Sequence, residues 1–462
     1  MKFICQIFFF LISLSAFAQQ NQLWKGYYSY NETTAITKDH QNIFIATTNS
    51  VIAYNEFSKQ TEIYNTLNGL KIDEIQSIAY SNNYRKIVLG SKNGKIGIID
   101  LATDKIYHLY DLFNKTNIPD NLKSINKITI HNGYAYLATG YGITAIRLTD
   151  NHFGDTFYIG TNGDITNVNS ITVNENFIYA ATTTGLKKAS INTNLIDYNN
   201  WQPLDFNNWL DITTYNNTVV GVKEDLSLNT LSNTNQITKI DNVWGGFLKL
   251  NVADDVLLEI TREAVRLRSN SYMVYNELVY SLSEKGGIND ATVFNESFYL
   301  ATVKNGGLKV NASNKSNQEV VTPNGPLSNN VFALSLQNKD LWFTFGGYGN
   351  EMNPFNPNGL TEYGISAYKN LQSWNHVSFE DIGRIKATTN ISFNSRKQNL
   401  LYISSFQNGL GVYDMSTNSI DIFNDTNTNV LQAVLPNDIR VNGVAFDSNG
   451  VGWLTNAGVN PI

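Results

Sequence analysis

One phrase recurs through this 462-residue chain: an aromatic or branched residue, a small pair, a polar turn with glycine, then a second apolar run. It reads NESFYLATVKNGGLKV at 295–310, YLATGYGITAIRL from Tyr136, YAATTTGLKKAS from Tyr179, FIATTNSVIAY from Phe44 and, more loosely, YISSFQNGLGVYD from Tyr402. Anchors fall at Phe44, Val88, Tyr136, Tyr179, Val219, Leu257, Tyr299, Trp342, Tyr402 and Trp453. Their mean spacing is about 45 residues, a period that suits propeller blades when the unit is made of strands. Helical 3.6-residue spacing is hard to find, whereas period-two alternation is common, as in Tyr136-Leu137-Ala138-Thr139 before Gly142.

Upstream of each anchor lies another strand with two apolar residues three apart: Ile75 and Ile78, Ile125 and Ile128, Val168 and Ile171, Val331 and Leu334, Val441 and Val444. Links such as HNG, NEN, QNK and DSNG then turn the chain back, because Asn and Gly tolerate positive φ. The repeated Ala46, Ala138, Ala181 and Ala301 predict close approach near an axis, and the aromatic two residues earlier predicts filling between neighbouring blades. The phrase is a packing code, and Trp342 and Trp453 are read as core on the same grounds.

Seven anchors precede residue 320 and three follow it. The expected fold is all-β: a seven-bladed β-propeller at 19–320, then an incomplete second β-propeller at 321–462. The polar stretch NASNKSNQEVVTPNGPLSNN from Asn311 marks the boundary, and six of the eight prolines lie after residue 320. Three blades cannot close a ring and would bare an apolar face, so the chain is read as truncated within its second propeller, the alternative being a ring shared by early and late blades.

The N-terminus sets the compartment. Lys2, the apolar run Ile7 to Leu14, and Ala16-Phe17-Ala18 read as a secretory signal peptide over 1–18, cleaved after Ala18. No later run is long enough for a membrane helix, which predicts an exported chain in the periplasm or at the cell surface. The single cysteine, Cys5, lies in the leader, which excludes disulfides, thiolate metal sites and cysteine nucleophiles from the mature chain. A net charge of -6 with 16% charged residues offers no general attraction to nucleic acid.

The phrases PNGPLSNNVFALSLQNKDLWFTF and LPNDIRVNGVAFDSNGVGWLT resemble the two-component-regulator propeller repeat. The stretch LWKGYYSYNETTAITKDHQNIFIATTNSVIAYN resembles the N-terminal propeller of the PorZ family of Bacteroidetes type IX secretion proteins. That resemblance implies a non-enzymatic surface protein that binds anionic lipopolysaccharide and acts beside the sortase PorU with PorV and PorQ. The family continues into a C-terminal sorting domain, which this sequence lacks. The repeat also allows an alternative, the periplasmic oligosaccharide-sensing region of a hybrid two-component system.

Residue-level chemistry is sparse. His40, His108, His131, His152 and His376 show no metal-ligand spacing, so no metal or other cofactor is expected. Gly140-Tyr141-Gly142 and Gly346-Gly347-Tyr348-Gly349 lack the third glycine and following helix of a nucleotide loop. Asp254 and Asp255 read as a solvated hairpin end, and the oxygen-rich run from Asp150 to Asp164 lacks the order of an EF-hand. A glycan hydrolase or lyase would need acid/base residues that the sequence does not bring together. One cationic feature stands out: TREAVRLRS spaces Arg262, Arg266 and Arg268 evenly, on one face if it is a strand. Such a stripe can grip phosphate or carboxylate groups, and these three arginines are the candidate ligand contacts; the plainer reading is a charged edge strand.

Overall fold

The computed structural model describes residues 26–282, 286–349, 353–355 and 360–459; the leader read at 1–18 lies outside them. Among these residues the architecture is nine four-stranded antiparallel sheets and one of two strands. The helical elements named among the described residues are four short 3-10 turns. This is an all-β arrangement consistent with a β-propeller.

Each four-stranded sheet is built from consecutive strands in sequence order, and sheets 1 to 7 span 33–64, 75–109, 125–157, 168–205, 209–242, 247–279 and 288–320. Each packs on the next, and the seventh returns to the first. One apolar cluster fills each seam; Phe44, Ala46, Ile75 and Leu89, for instance, lie between sheets 1 and 2, and Ile36, Ile45, Phe294 and Tyr299 between sheets 7 and 1. Sheets 8, 9 and 10 (333–377, 388–423 and 441–456) pack in series.

The recurring phrase lies on the second strand of each sheet. Phe44, Tyr136, Tyr179 and Tyr299 are buried, and Ala46, Ala138, Ala181 and Ala301 are wholly so. The axis itself is lined by the first strands, so the alanines sit one strand out from it. Two anchors read from the sequence are off by one residue. The register that matches Ser170 with Ala181 matches Asp211 with Val222 and Lys249 with Ile260, so the equivalents of Tyr179 are Val220 and Leu258, not Val219 and Leu257. These strands are buried on both faces, and adjacent apolar residues hide which face is which.

The three-residue spacing upstream also has a structural cause. In a regular strand such residues would face opposite ways. Here every first strand of sheets 1 to 7 carries a register shift at its start, for example between Ile75 and Ser77 or Val168 and Ser170. The bulge adds one residue and returns the pair to a common face. Most turns behave as their residues predict, since Asn132, Asn216, Asn217, Asn295, Asn338 and Gly450 have positive φ, but in the NEN link it is Glu175 and neither asparagine that does. Gly142 and Gly185 meet a different demand, since a Cβ there would lie 2.4 Å and 2.1 Å from the carbonyl oxygens of Phe157 and Asp205.

Outside the seven sheets the packing code is only partly used. Trp342 is buried, but Trp453 and Leu334 are 68% and 57% exposed. Trp453 belongs to the two-stranded sheet 10 and Leu334 to the first strand of sheet 8, and neither face has a neighbouring sheet over it among the described residues. Sheet 8 is tied to the ring through the N-terminal segment: Ser29 and Asn329 exchange hydrogen bonds, Tyr363 donates to Glu32 at 2.7 Å, and Tyr27 packs on Tyr368 and Trp374.

Among the described residues no strand is exchanged between sheets 7 and 1, so a backbone hydrogen bond and side-chain contacts close the ring. Gly306 N–H donates to Asn31 O at 2.8 Å, and Thr33 Oγ1 to Thr302 O at 2.9 Å. Glu56 is buried between these sheets, where it accepts from the Tyr299 hydroxyl and pairs with Lys309 at 2.5 Å and Lys59 at 3.1 Å. Burial pushes the Glu56 carboxyl up, but these donors outweigh it and hold it below its usual value. Glu56→Gln should therefore cost about 2 kcal/mol near neutral pH. Because the folded carboxyl is the stronger acid, this contribution is complete above about pH 5 and shrinks as the pH falls through the folded value. Urea melts of both proteins from pH 7 to pH 3 check this; a gap that widens in acid contradicts the assignment.

Candidate functional site

The first strands enclose a central channel of about 410 Å³. It opens at one end into a cavity of about 420 Å³ lined by Gln76, Asn126, Asn169, Thr183, Asn208, Leu210, Phe247 and Leu248. Five of these eight occupy the bulge: Gln76, Asn126, Asn169, Leu210 and Leu248 are the extra residues of their strands. A bulge re-aims the side chain it carries, so the packing irregularity also builds the rim of the mouth.

The amides staple successive sheets. Gln76 donates to Ile125 O at 3.0 Å, Asn126 to Val168 O at 2.8 Å, Asn169 to Trp209 O at 2.7 Å, and Asn289 to Thr33 O at 2.7 Å. They are also joined to one another in a single direction. Gln76 Nε2 donates to Ser124, Ser124 to Asn126, Asn126 to Asn167, Asn167 to Asn169 and Asn169 to Asn208, at 2.5, 3.2, 3.3, 2.6 and 3.4 Å. Sheets 2 to 5 thus present a polar arc, and Leu210, Phe247 and Leu248 complete the mouth with an apolar one.

Deeper in the channel, charges are paired across it. Lys127 of sheet 3 reaches Asp211 of sheet 5 at 2.6 Å, and also the carbonyls of Ile212 and Leu250 at 3.1 and 3.3 Å. Asp211 accepts from Ile212 N–H and Leu250 N–H at 2.8 and 2.6 Å, which binds sheet 5 to sheet 6. Asp290 plays the same part between sheets 7 and 1, accepting from Ile36 N–H at 3.1 Å and pairing with Lys249 at 3.0 Å. At the far end Asp254, read as a solvated turn residue, pairs with Lys38 of sheet 1 beside a third cavity.

The three arginines do not form one cationic surface. Arg266 and Arg268 share a face of the third strand of sheet 6 (Ala264–Arg268), which is interior to the sheet and not its edge, and both are buried at 2% and 1% exposure. Their partner is Glu259, wholly buried on the adjoining strand. Arg266 Nη1 lies 2.8 Å from it and Arg268 Nη2 2.6 Å, while Glu277 and Asp241 take further guanidinium nitrogens at 2.6 Å each. By register Glu259 stands where the other six sheets hold Ile45, Leu89, Leu137, Ala180, Gly221 and Leu300. One buried carboxylate in an apolar seat requires counter-charges, and the stripe supplies them. Arg262 lies in the preceding turn, half-buried, with Nη1 on Ile288 O at 3.1 Å and on Asn289 at the rim of the ring. Glu259 was legible in the sequence only as a single acidic residue in an apolar strand.

Other residues singled out in the sequence stay apart. Asp150 pairs with Arg147 at 2.6 Å, and the oxygen-rich segment continues as a strand, His152–Phe157. Among the described residues no group of three acidic or histidine side chains is placed to hold a metal. No helix there is long and apolar enough to cross a membrane.

Comparison with known proteins gives a consistent picture of the fold. The family described as the type IX secretion PorZ N-terminal β-propeller domain matches residues 43–202. The structure resembles that of PorZ from Porphyromonas gingivalis, an essential bacterial surface component of the type IX secretion system, with a TM-score of 0.78 and 16% identity over 94% of this chain. The chain spans 57% of that protein's length. BamB from Moraxella catarrhalis is matched with a TM-score of 0.40 and 13% identity, over 60% of this chain and 83% of that one. No curated protein matches the sequence.

The channel pairs make an ordered prediction about stability. Asp211→Ala strands the Lys127 ammonium and two backbone N–H groups, and should cost about 3–5 kcal/mol. Lys127→Met leaves Asp211 its two backbone donors and should cost about 1–2 kcal/mol. Equilibrium urea unfolding measures both; the reverse order would show that Lys127, not Asp211, organises the channel.

Proposed function

We propose that this chain is a non-enzymatic β-propeller scaffold of type IX secretion that works at the cell surface or in the periplasm. In this reading residues 19–320 form a complete seven-bladed propeller and 321–462 begin a second. The exposed Leu334, Leu336 and Trp453 support the second part, since such faces are ordinarily covered by a neighbouring blade. The observation that carries the functional reading is the fold likeness to PorZ over nearly the whole chain, joined to the family match over 43–202.

By that likeness the ligand is anionic lipopolysaccharide, and the protein partners are the sortase PorU with PorV and PorQ. Of the three arginines, Arg262 is the one whose position suits a ligand anion, because it is half-buried in a turn beside Asn289. Arg266 and Arg268 would have to leave Glu259 to serve, at the cost of a buried unpaired carboxylate. The amide-lined mouth keeps the oligosaccharide-sensing alternative in view, since both readings place a glycan on the protein.

Binding of purified anionic lipopolysaccharide micelles to immobilised protein tests the proposal. Wild-type protein should bind, Arg262→Ala should bind about tenfold more weakly, and the wild-type affinity should fall with added salt. Absence of wild-type binding, or turnover of polysaccharide by the protein, would remove this reading.

A further inference from the structure

The mouth of the channel has features that neither ring closure nor sheet packing requires. Its hydrogen-bonded arc from Gln76 to Asn208 runs donor to acceptor throughout. A chain of this polarity leaves an acceptor, Gln76 Oε1, at one end and a donor, Asn208 Nδ2, at the other, both without a protein partner among the described residues. Polarisation along the chain strengthens both ends. Asn126 and Asn169, which line the cavity, spend their amide hydrogens on neighbouring sheets, and each oxygen accepts one bond within the arc and retains a lone pair. The arc carries no formal charge.

Across the cavity lie Phe247, Leu210 and Leu248. A mouth of about 420 Å³ with one amide wall and one aromatic-aliphatic wall suits a ligand that is polar at its rim and apolar across its faces. A pyranose ring is such a ligand: its hydroxyls pair with amides at the edge, and its C–H face packs on an aromatic ring. An anion is poorly served, because the wall offers carbonyl oxygens and no cation, and the nearby Lys127 is already engaged by Asp211.

We propose that this mouth binds an uncharged sugar ring of a surface glycan, with the Gln76–Asn208 arc reading its hydroxyls and Phe247 its apolar face. The inference rests on the glycan-binding reading above and adds where, and through which part of the glycan, contact is made. The fold tolerates loss of an amide here, since Leu210 and Leu248 occupy the same bulge position as Asn169 in the next two sheets.

The test measures binding of neutral oligosaccharides from dextran and mannan by calorimetry, alongside lipopolysaccharide micelles, to wild-type protein, Asn169→Leu, Asn208→Ala and Phe247→Ala. The expected result is wild-type binding of at least one neutral oligosaccharide, weakened about tenfold or more by each substitution while Asn208→Ala keeps the wild-type melting temperature. Equal affinity of wild-type and variant proteins overturns the mouth as the site and leaves the glycan reading intact. Binding of micelles without any neutral oligosaccharide also overturns the inference alone. Failure of both probes on the wild type overturns the inference together with the reading beneath it.

Discussion

The controlling constraint is that each sheet is apolar on both faces. A sheet such as 33–64 buries Phe44 and Ala46 toward one neighbour and Ile43 and Ile45 toward the other, so it is stable only between two others. At about 25 cal/mol per Å² of apolar surface, an uncovered face forgoes the main term that holds such a fold together. A series of such sheets meets the demand by curving until its last face meets its first. Sheets 1 to 7 do this without exchanging a strand, which is why the junction of sheets 7 and 1 gathers Glu56, Tyr299, Lys309, Thr33 and Asp290.

The same constraint explains where charge is allowed. Glu259 breaks the apolar pattern, and the seam between sheets 5 and 6 accommodates it only because Arg266 and Arg268 lie on the neighbouring strand of the same sheet. Trp244 then covers the Arg266 guanidinium from the surface. In the channel the rule recurs: Asp211 and Asp290 are buried, and each is met by a lysine and by backbone N–H groups of the next sheet. Charge in this protein is mostly structural. At the mouth, by contrast, the polar groups are uncharged amides with hydrogen-bonding capacity left over.

Position of the mouth residues follows from the bulge. A regular strand would alternate its side chains between the two seams, with none aimed along the axis. The extra residue at the start of each first strand breaks the alternation, and Gln76, Asn126 and Asn169 emerge at the rim. One local irregularity thereby serves both the packing and the lining of the mouth. It also accounts for the apolar pairs three residues apart, such as Ile125 and Ile128, which period-two reasoning alone leaves unexplained.

What the sequence determined alone was the repeat, its strand character and its turns, because these depend on residues within a few positions of one another: Tyr136 with Ala138, Asn132 with Gly133. It also located the strands of sheets 5 and 6, though not their faces, since Val219 and Val220 are equally apolar. Tertiary structure decided everything that depends on residues far apart in the chain. Glu259 looks unremarkable until Arg266 and Arg268 are seen to answer it, and Asn126, Asn169 and Asn208 become one hydrogen-bonded arc only when three sheets stand side by side. Local order is written in neighbouring side chains, whereas a site assembled from many sheets exists only after the sheets have packed.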